Sequence, residues 1–406
     1  WLSSLCDLFN SPDAVRQNLS TLLFSPAGLG LSNFRFNIGG GGVGVTNPVR
    51  APATFYVSPG VYNFSADPQG VYFMQQASAH GVPSITAFVN SAPPQLTSNR
   101  QSCGGSFVNG TGLAYGTYVA DVISRWRLTG LMIDFISPMN EPDDSFGTCG
   151  QEGMQVSANQ YLALSLHRHR HARAHILAGE RNALQTNGLS TTVGILADES
   201  SSLSLATAEY STWLPSVASK VVAIVRHTYD FPTDASYTSF VNTVKAIAPG
   251  KATWMSEICC SLGTAAGVGR GYTQGFDQTI TNALMFSGLV FQILVLASEP
   301  HYDFWTLVSN GLGCSPVNNP SCPRDGMIYY DPSYATNKNF VLSRMTHITA
   351  SFKHFGNFVR RECRTGFIYP YSSSLSLAGS VRHALTGSNV QQWMMAVANQ
   401  LIISSP

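Results

Sequence analysis

Two glutamates carry the most legible chemistry in this sequence. In LMIDFISPMNEP, from Leu131 to Pro142, the apolar run Leu131–Ile136 reads as a buried strand; it breaks at Ser137-Pro138 and delivers Asn140-Glu141-Pro142. Ala252–Glu257 has the same form, a short strand ending on a carboxylate. A carboxyl at the carboxyl end of a buried parallel strand lies where barrel enzymes build their active sites. Retaining hydrolysis of a glycosidic bond needs two such groups about 5 Å apart, one giving a proton and one attacking. In that chemistry Glu141 is the general acid/base and Glu257 the nucleophile. The plainer alternative is that either glutamate merely pairs with an arginine at the rim.

Other groups fall at the same ends of other strands. Tyr229 could donate a hydrogen bond to the Glu257 carboxylate, and Arg35 could hold that carboxylate ionised. Asn140 could bind a sugar 2-hydroxyl and Trp305 could floor a subsite, with Asn90 and His227 at further strand ends as substrate-binding candidates. Any one of these residues alone is more often structural than functional; their joint placement is what singles them out. His167, His171 and His175 share a helical face at i, i+4 spacing, which could suggest a metal pair. No carboxylate or cysteine accompanies them, so a solvated helix face is the better reading, and no metal or cofactor is expected. Gly39–Gly44 formally fits G-x-G-x-x-G, but Thr46-Asn47-Pro48 opens no helix behind it. It reads as a mobile loop rather than a nucleotide cradle.

The elements that must position these groups alternate. Helices are expected over Ser11–Phe24 (Ser11 as N-cap), Gln69–His80, Leu113–Arg127, Ala158–Leu177, Leu205–Ala218, Tyr237–Ile247, Asp277–Ala297 and Ala335–Phe352. Strands are expected over Leu31–Ile38, Ser84–Val89, Leu131–Ile136, Thr191–Leu196, Val221–Arg226, Ala252–Glu257 and Asp303–Val308. This is the pattern of an α/β (β/α)8 TIM barrel whose first strand would precede Trp1. After Phe358 the texture changes to short strands and turns. The expected division is therefore a catalytic barrel over 1–357 and a small partial β-sandwich over 358–406.

Composition narrows the partners. Charged residues make up 11% of the 406, with a net charge of +1, which argues against nucleic acid and other polyanions. Aromatics at 11% offer rings that stack on sugars, although a large core uses them equally well. The eight cysteines show no CxxC spacing, and sequons stand at Asn18, Asn63 and Asn109. Together they favour a secreted, disulfide-bearing glycoprotein. Cys103 and Cys149, in loops near the site, are candidates to pair; Cys314 and Cys322 could close a small loop. The longest apolar run, Ala283–Ala297, is short for a membrane span and reads as a buried helix. A monomer acting on a neutral polysaccharide is the expectation.

At these residues the chain resembles glycoside hydrolase family 30, and within it the fungal endo-β-1,6-galactanases. The resemblance is carried by Phe34–Gly40, Phe88–Pro94, Pro138–Pro142, Ala197–Ser200, His227–Asp230, Trp254–Glu257 and Tyr302–Trp305 in that order. It implies a retaining mechanism, a (β/α)8 barrel and a side β-sandwich built from both chain ends, with Glu141 as acid/base and Glu257 as nucleophile. The implied substrate is the β-1,6-galactan side chains of arabinogalactan. Relatives that cut β-1,6-glucan or xylan are the nearest alternative, Arg324 being the one candidate to hold a xylan glucuronate. A catalytically silent carbohydrate-binding protein is the alternative from another class.

Overall fold

The computed structural model describes residues 9–306 except 47, 49–50, 159, 163–168, 260–285 and 287, and beyond them 319, 322, 326 and 328–342. The expected sandwich over 358–406, Cys314, Arg324, the start of the Asp277 helix and residues 343–352 of the Ala335–Phe352 helix lie outside the described residues.

The centre of the molecule is a six-stranded parallel sheet. In chain order its strands are β1 (Asn33–Asn37), β4 (Ser84–Phe88), β6 (Phe135–Ser137), β10 (Gly194–Ser200), β11 (Ala223–His227) and β12 (Ala252–Glu257), and neighbours in sequence are neighbours in the sheet. Helices on the return path cover the outer face: α1 (Asp13–Phe24), α2 (Pro68–Ala79), α3 (Gly112–Leu128), α4 (Ala172–Thr186), α5 (Leu203–Trp213) and α6 (Asp234–Ile247). Two side-chain contacts show that the sheet curls. Phe135 on β6 meets Trp254 on β12, two intervening strands away, at 5.0 Å between centroids. Asn33 at the β1 edge donates its amide to Asp303, beyond β12, at 3.1 Å. The fold is an α/β half-barrel of the (β/α)8 type, as the alternation in the sequence implies.

The apolar periodicity divides between two cores. The larger lies between sheet and helices and takes in Phe34, Phe36, Trp126, Ile176, Trp213 and Phe240. The smaller fills the barrel interior with Leu196, Ala223 and Val225, flanked by Phe135 and Trp254.

Several local expectations change. Pro12, not Ser11, occupies the N-cap position of α1; it has no side-chain oxygen to offer the first turn. The helix expected over Ala158–Leu177 is not helical at its described residues before Ala172. Those residues contain the antiparallel pair β8 (Gln160–Leu162) and β9 (His169–His171), and α4 starts only at Ala172. His171 is thereby on a strand, so the i, i+4 pair with His175 does not exist; the run also reads at period two, and strand pairing prevails. Of the strand expected over Asp303–Val308, residues 307–308 lie outside the described residues; among the described ones the sheet continues as a parallel bridge from Tyr302 to Met255, extended by the Asp303 N–H to the Met255 carbonyl at 3.1 Å. The helix expected from Ala335 is one turn, α7 (Tyr334–Asn337), followed by β14 (Phe340–Leu342), which pairs back on β13 (Ile328–Tyr330). Small pairs β2 (Tyr56–Ser58) with β3 (Val61–Tyr62) and β5 (Gly105–Ser106) with β7 (Met154–Gln155) lie outside the main sheet.

The Gly39–Gly44 loop is anchored rather than free. Buried Glu152 accepts the Gly42 N–H at 2.7 Å and the Gly40 N–H at 3.2 Å, and Ser102 donates to the Gly40 carbonyl at 2.8 Å. The backbone donors that a nucleotide phosphate would need are turned onto a carboxyl of the protein itself. Burial pushes that carboxyl up to about 8. The Cys103–Cys149 disulfide joins the neighbouring loops, and Cys259 and Cys322 are also disulfide-bonded.

Candidate active site

The carboxyl ends of the parallel strands converge on one buried cluster. β12 ends on Glu257, and β11 ends on His227 with Tyr229 two residues on. β1 carries Arg35 at its centre, and Asn140 and Glu141 follow β6. The chain leaves β6 through a left-handed residue, Glu141 (φ 43°), and β10 passes through another, Glu199 (φ 65°). Non-glycine residues hold this conformation at a cost of about 1–3 kcal/mol, and such strain concentrates at functional sites. Here the two turned residues support each other, the Glu141 N–H bonding the Glu199 carbonyl at 2.9 Å.

Around Glu257 the partners are Arg35, whose Nη1 meets Oε2 at 2.5 Å, and the Tyr229 hydroxyl, which donates to Oε1 at 2.8 Å. Arg35 Nη2 also donates to Asn140 Oδ1 at 2.9 Å and lies 3.2 Å from Glu199. The guanidinium packs over Phe88 at 3.7 Å from the ring centre. Burial alone would weaken its hold on the proton, but the carboxylates of Glu199, Glu257 and Asp303 outweigh burial and keep it cationic.

Around Glu141 the partner is His227. Nδ1 of the ring contacts Glu141 Oε1 at 3.0 Å, and Nε2 contacts Glu199 Oε2 at 3.1 Å. Burial disfavours the imidazolium, yet Glu257, Glu141 and Glu199 together raise the ring to about 10, so it is charged at neutral pH and donates from both nitrogens. Glu141 moves the other way from an ordinary carboxylate: burial raises it, Glu257 and Asp143 add to this, and the His227 contact only partly offsets them. Glu199 and His227 are sealed at 0% exposure, while Glu141 and Glu257 keep 8% and 6%. The latter pair therefore face whatever enters the mouth.

One carboxyl oxygen of Glu141 and one of Glu257 lie within 4.8 Å of each other, with His227 Nδ1 inside the same limit. A shared cation would fit that spacing. The hydrogen bonds and ion pairs above already place these groups, and we assign none of them as a metal ligand. A carboxyl acid and a carboxylate this close match double displacement at a sugar carbon and leave no room for the water an inverting mechanism would place between them.

Of the residues singled out in the sequence, Glu141, Glu257, Arg35, Asn140, His227 and Tyr229 meet in this one network. Asn90 stands apart from it: its N–H bonds Asn37 Oδ1 at 3.2 Å, and its own Oδ1 is buried with no hydrogen-bond partner among the described residues. Trp305 is half-buried beside the β12 end, its N–H on the Ile258 carbonyl at 2.8 Å. Glu199 was not among the candidates. The signal was there, a third carboxylate at the end of a predicted strand in Ala197-Asp198-Glu199, but nothing in the sequence says that it faces His227.

A family model, O-glycosyl hydrolase family 30, matches residues 12–311. The chain belongs to glycoside hydrolase family 30. Solved structures similar to it include the catalytic domain of a family 30 xylanase C from Talaromyces cellulolyticus, at TM-score 0.60 and 20% identity over 87% of this chain and 73% of that one. A conserved exported protein from Bacteroides fragilis gives TM-score 0.69 at 17% identity, covering 89% and 77%. An endo-β-1,6-glucanase gives 0.63 at 14%, covering 88% and 74%. Identities this low speak for the fold. No curated protein matches the sequence.

Proposed function

We propose that this family 30 glycosidase is a retaining endo-hydrolase of β-1,6-galactosyl linkages in the side chains of arabinogalactan. The observation that carries the mechanism is the approach of Glu141 and Glu257 to within 4.8 Å, with a raised carboxyl on one side and an arginine and a tyrosine holding the other. Glu257 attacks the anomeric carbon while Glu141 gives its proton to the departing glycosidic oxygen, so that a glycosyl ester of Glu257 forms. Glu141, now ionised, takes a proton from water; that water attacks the anomeric carbon and releases Glu257. Arg35 accounts for Asn140 Oδ1 and leaves the amide nitrogen to meet a sugar hydroxyl.

The galactan linkage rests on the motif set in the sequence. The xylanase and β-1,6-glucanase among similar structures make those polymers the controls. The test is reducing-end release from arabinose-stripped arabinogalactan, β-1,6-glucan and xylan, by wild type and by Glu257→Gln. Release from galactan alone, lost in the variant, is the expected result. Release only from glucan or xylan keeps the mechanism and overturns the substrate. Binding without any turnover would make the protein a carbohydrate binder.

A further inference from the structure

We propose that Glu199 is a positioning residue for the acid/base step: through His227 it fixes both the orientation of the Glu141 carboxyl and the oxygen that keeps the transferable proton. This rests on the function proposed above. His227 is clamped at both ring nitrogens, by Glu141 at 3.0 Å and Glu199 at 3.1 Å, which opposes rotation of the ring; the next acceptor of Nδ1, Glu257 Oε1, is farther off at 3.8 Å. With the ring donating from Nδ1 to Glu141 Oε1, the acid proton must sit on Oε2, the other oxygen. Glu199 is itself immobilised from three directions, by Arg35 at 3.2 Å, by the Ser256 hydroxyl and by the ring.

Charge balance gives the same answer. The groups around Glu199 are Arg35 from β1, His227 and Tyr229 from β11 and its end, Ser256 and Glu257 from β12, Glu141 and Asp143 after β6, and His301 and Asp303 beyond β12. Within the inner cluster, Arg35 and His227 are balanced by Glu199 and Glu257, so a proton on Glu141 leaves it neutral and ionisation adds an uncompensated buried charge. Arg35 and then His227 overcome the burial of Glu199 and hold its carboxyl down at about 2, so it remains ionised throughout the working range. Glu199 supplies the constant charge against which the proton on Glu141 is set.

The test follows the ring directly. Protein labelled with ¹³C,¹⁵N-histidine is titrated by NMR as wild type, Glu199→Gln and Glu199→Asp, with the His227 signal identified by its loss in His227→Gln. In wild type the ring is expected to stay doubly protonated well past pH 8. Removing one negative charge lowers the proton affinity of its neighbours, so Glu199→Gln should release the ring proton about one pH unit lower or more. The alkaline limb of kcat/KM should move down with it. Glu199→Asp keeps the charge and should keep the limb while lowering kcat. A wild-type ring titrating near its ordinary value overturns the proposal and needs no variant to fold. So does a Glu199→Gln enzyme, shown folded by circular dichroism, whose ring and pH limb stay in place while kcat alone falls. The titration needs no substrate: absence of hydrolysis by wild type would sink the proposed function, whereas the ring titration would still decide the coupling of Glu199 to His227.

Discussion

At Glu141 and Glu257 the chemistry depends on two identical side chains being made different. Among the described residues Glu141 faces a side-chain hydrogen-bond donor on one oxygen only, and it is raised by burial; Glu257 receives both an arginine and a phenol. Replacing Glu141 by Gln is therefore expected to lower kcat/KM on polysaccharide roughly 10²–10⁴-fold, with a smaller loss on an aryl glycoside whose leaving group needs no proton. Tyr229→Phe removes a hydrogen bond to a charged acceptor, which is worth about 1.5–3 kcal/mol, so kcat/KM should fall roughly 10- to 100-fold. Because the Glu141 carboxyl is raised, activity should persist above the ordinary carboxylate range and be lost on an alkaline limb as that proton leaves. A pH–rate profile of kcat/KM checks this.

At the level of elements, the site depends on strand ends being held in register by packing behind them. α3 lies against α4 so closely that a Cβ at Gly179 would stand 2.2 Å from the Gly112 carbonyl oxygen. Backbone cannot retreat as a flexible side chain would, so Gly179→Ala should destabilise by about 1–3 kcal/mol or more, read as a lowered denaturant midpoint at unchanged slope. The loops after β4 and β6 are joined by Cys103–Cys149 across 46 residues of sequence. In the chain-entropy account a loop of that size is worth about 4 kcal/mol, and Cys103→Ser with Cys149→Ser should lower Tm accordingly.

For the whole molecule, the buried carboxyls set a pH window. Burial raises Asp198 to about 6 against the pull of Arg173, Asp67 to about 7 and Glu152 to about 8. Each contributes stability that is complete below its ordinary carboxylate value and is lost as pH rises through the folded value; His227 follows, its contribution fading between its ordinary value and about 10. Glu199 has the opposite sign: lowered to about 2, it contributes above its ordinary value and is lost as pH falls. Tm should accordingly peak at about pH 4–5 and decline towards alkaline pH, a scan that calorimetry settles. Asn18, Asn63 and Asn109 are all exposed, so material secreted from a eukaryotic host should shift in mass on amide-glycan release.

The sequence by itself determined the alternation of strand and helix, hence the parallel curled sheet. It also determined which residues end the strands, because burial on both faces writes continuous apolar runs that stop where the chain turns. Within the helix expected over Ala158–Leu177, the strand at His169–His171 was not legible, since a charged run satisfies period two as well as period 3.6 and only its pairing with Gln160–Leu162 decided between them. The Gly39–Gly44 loop looked free because its anchor, Glu152, lies more than a hundred residues away. Glu199 is the same case at the site. A carboxylate at a strand end is visible in the sequence, but its partners Arg35, His227 and Ser256 come from three other strands. What tertiary structure alone decided was therefore the identity of the neighbours, and with it the charge each group carries, because proton affinity follows burial and facing charge rather than residue type.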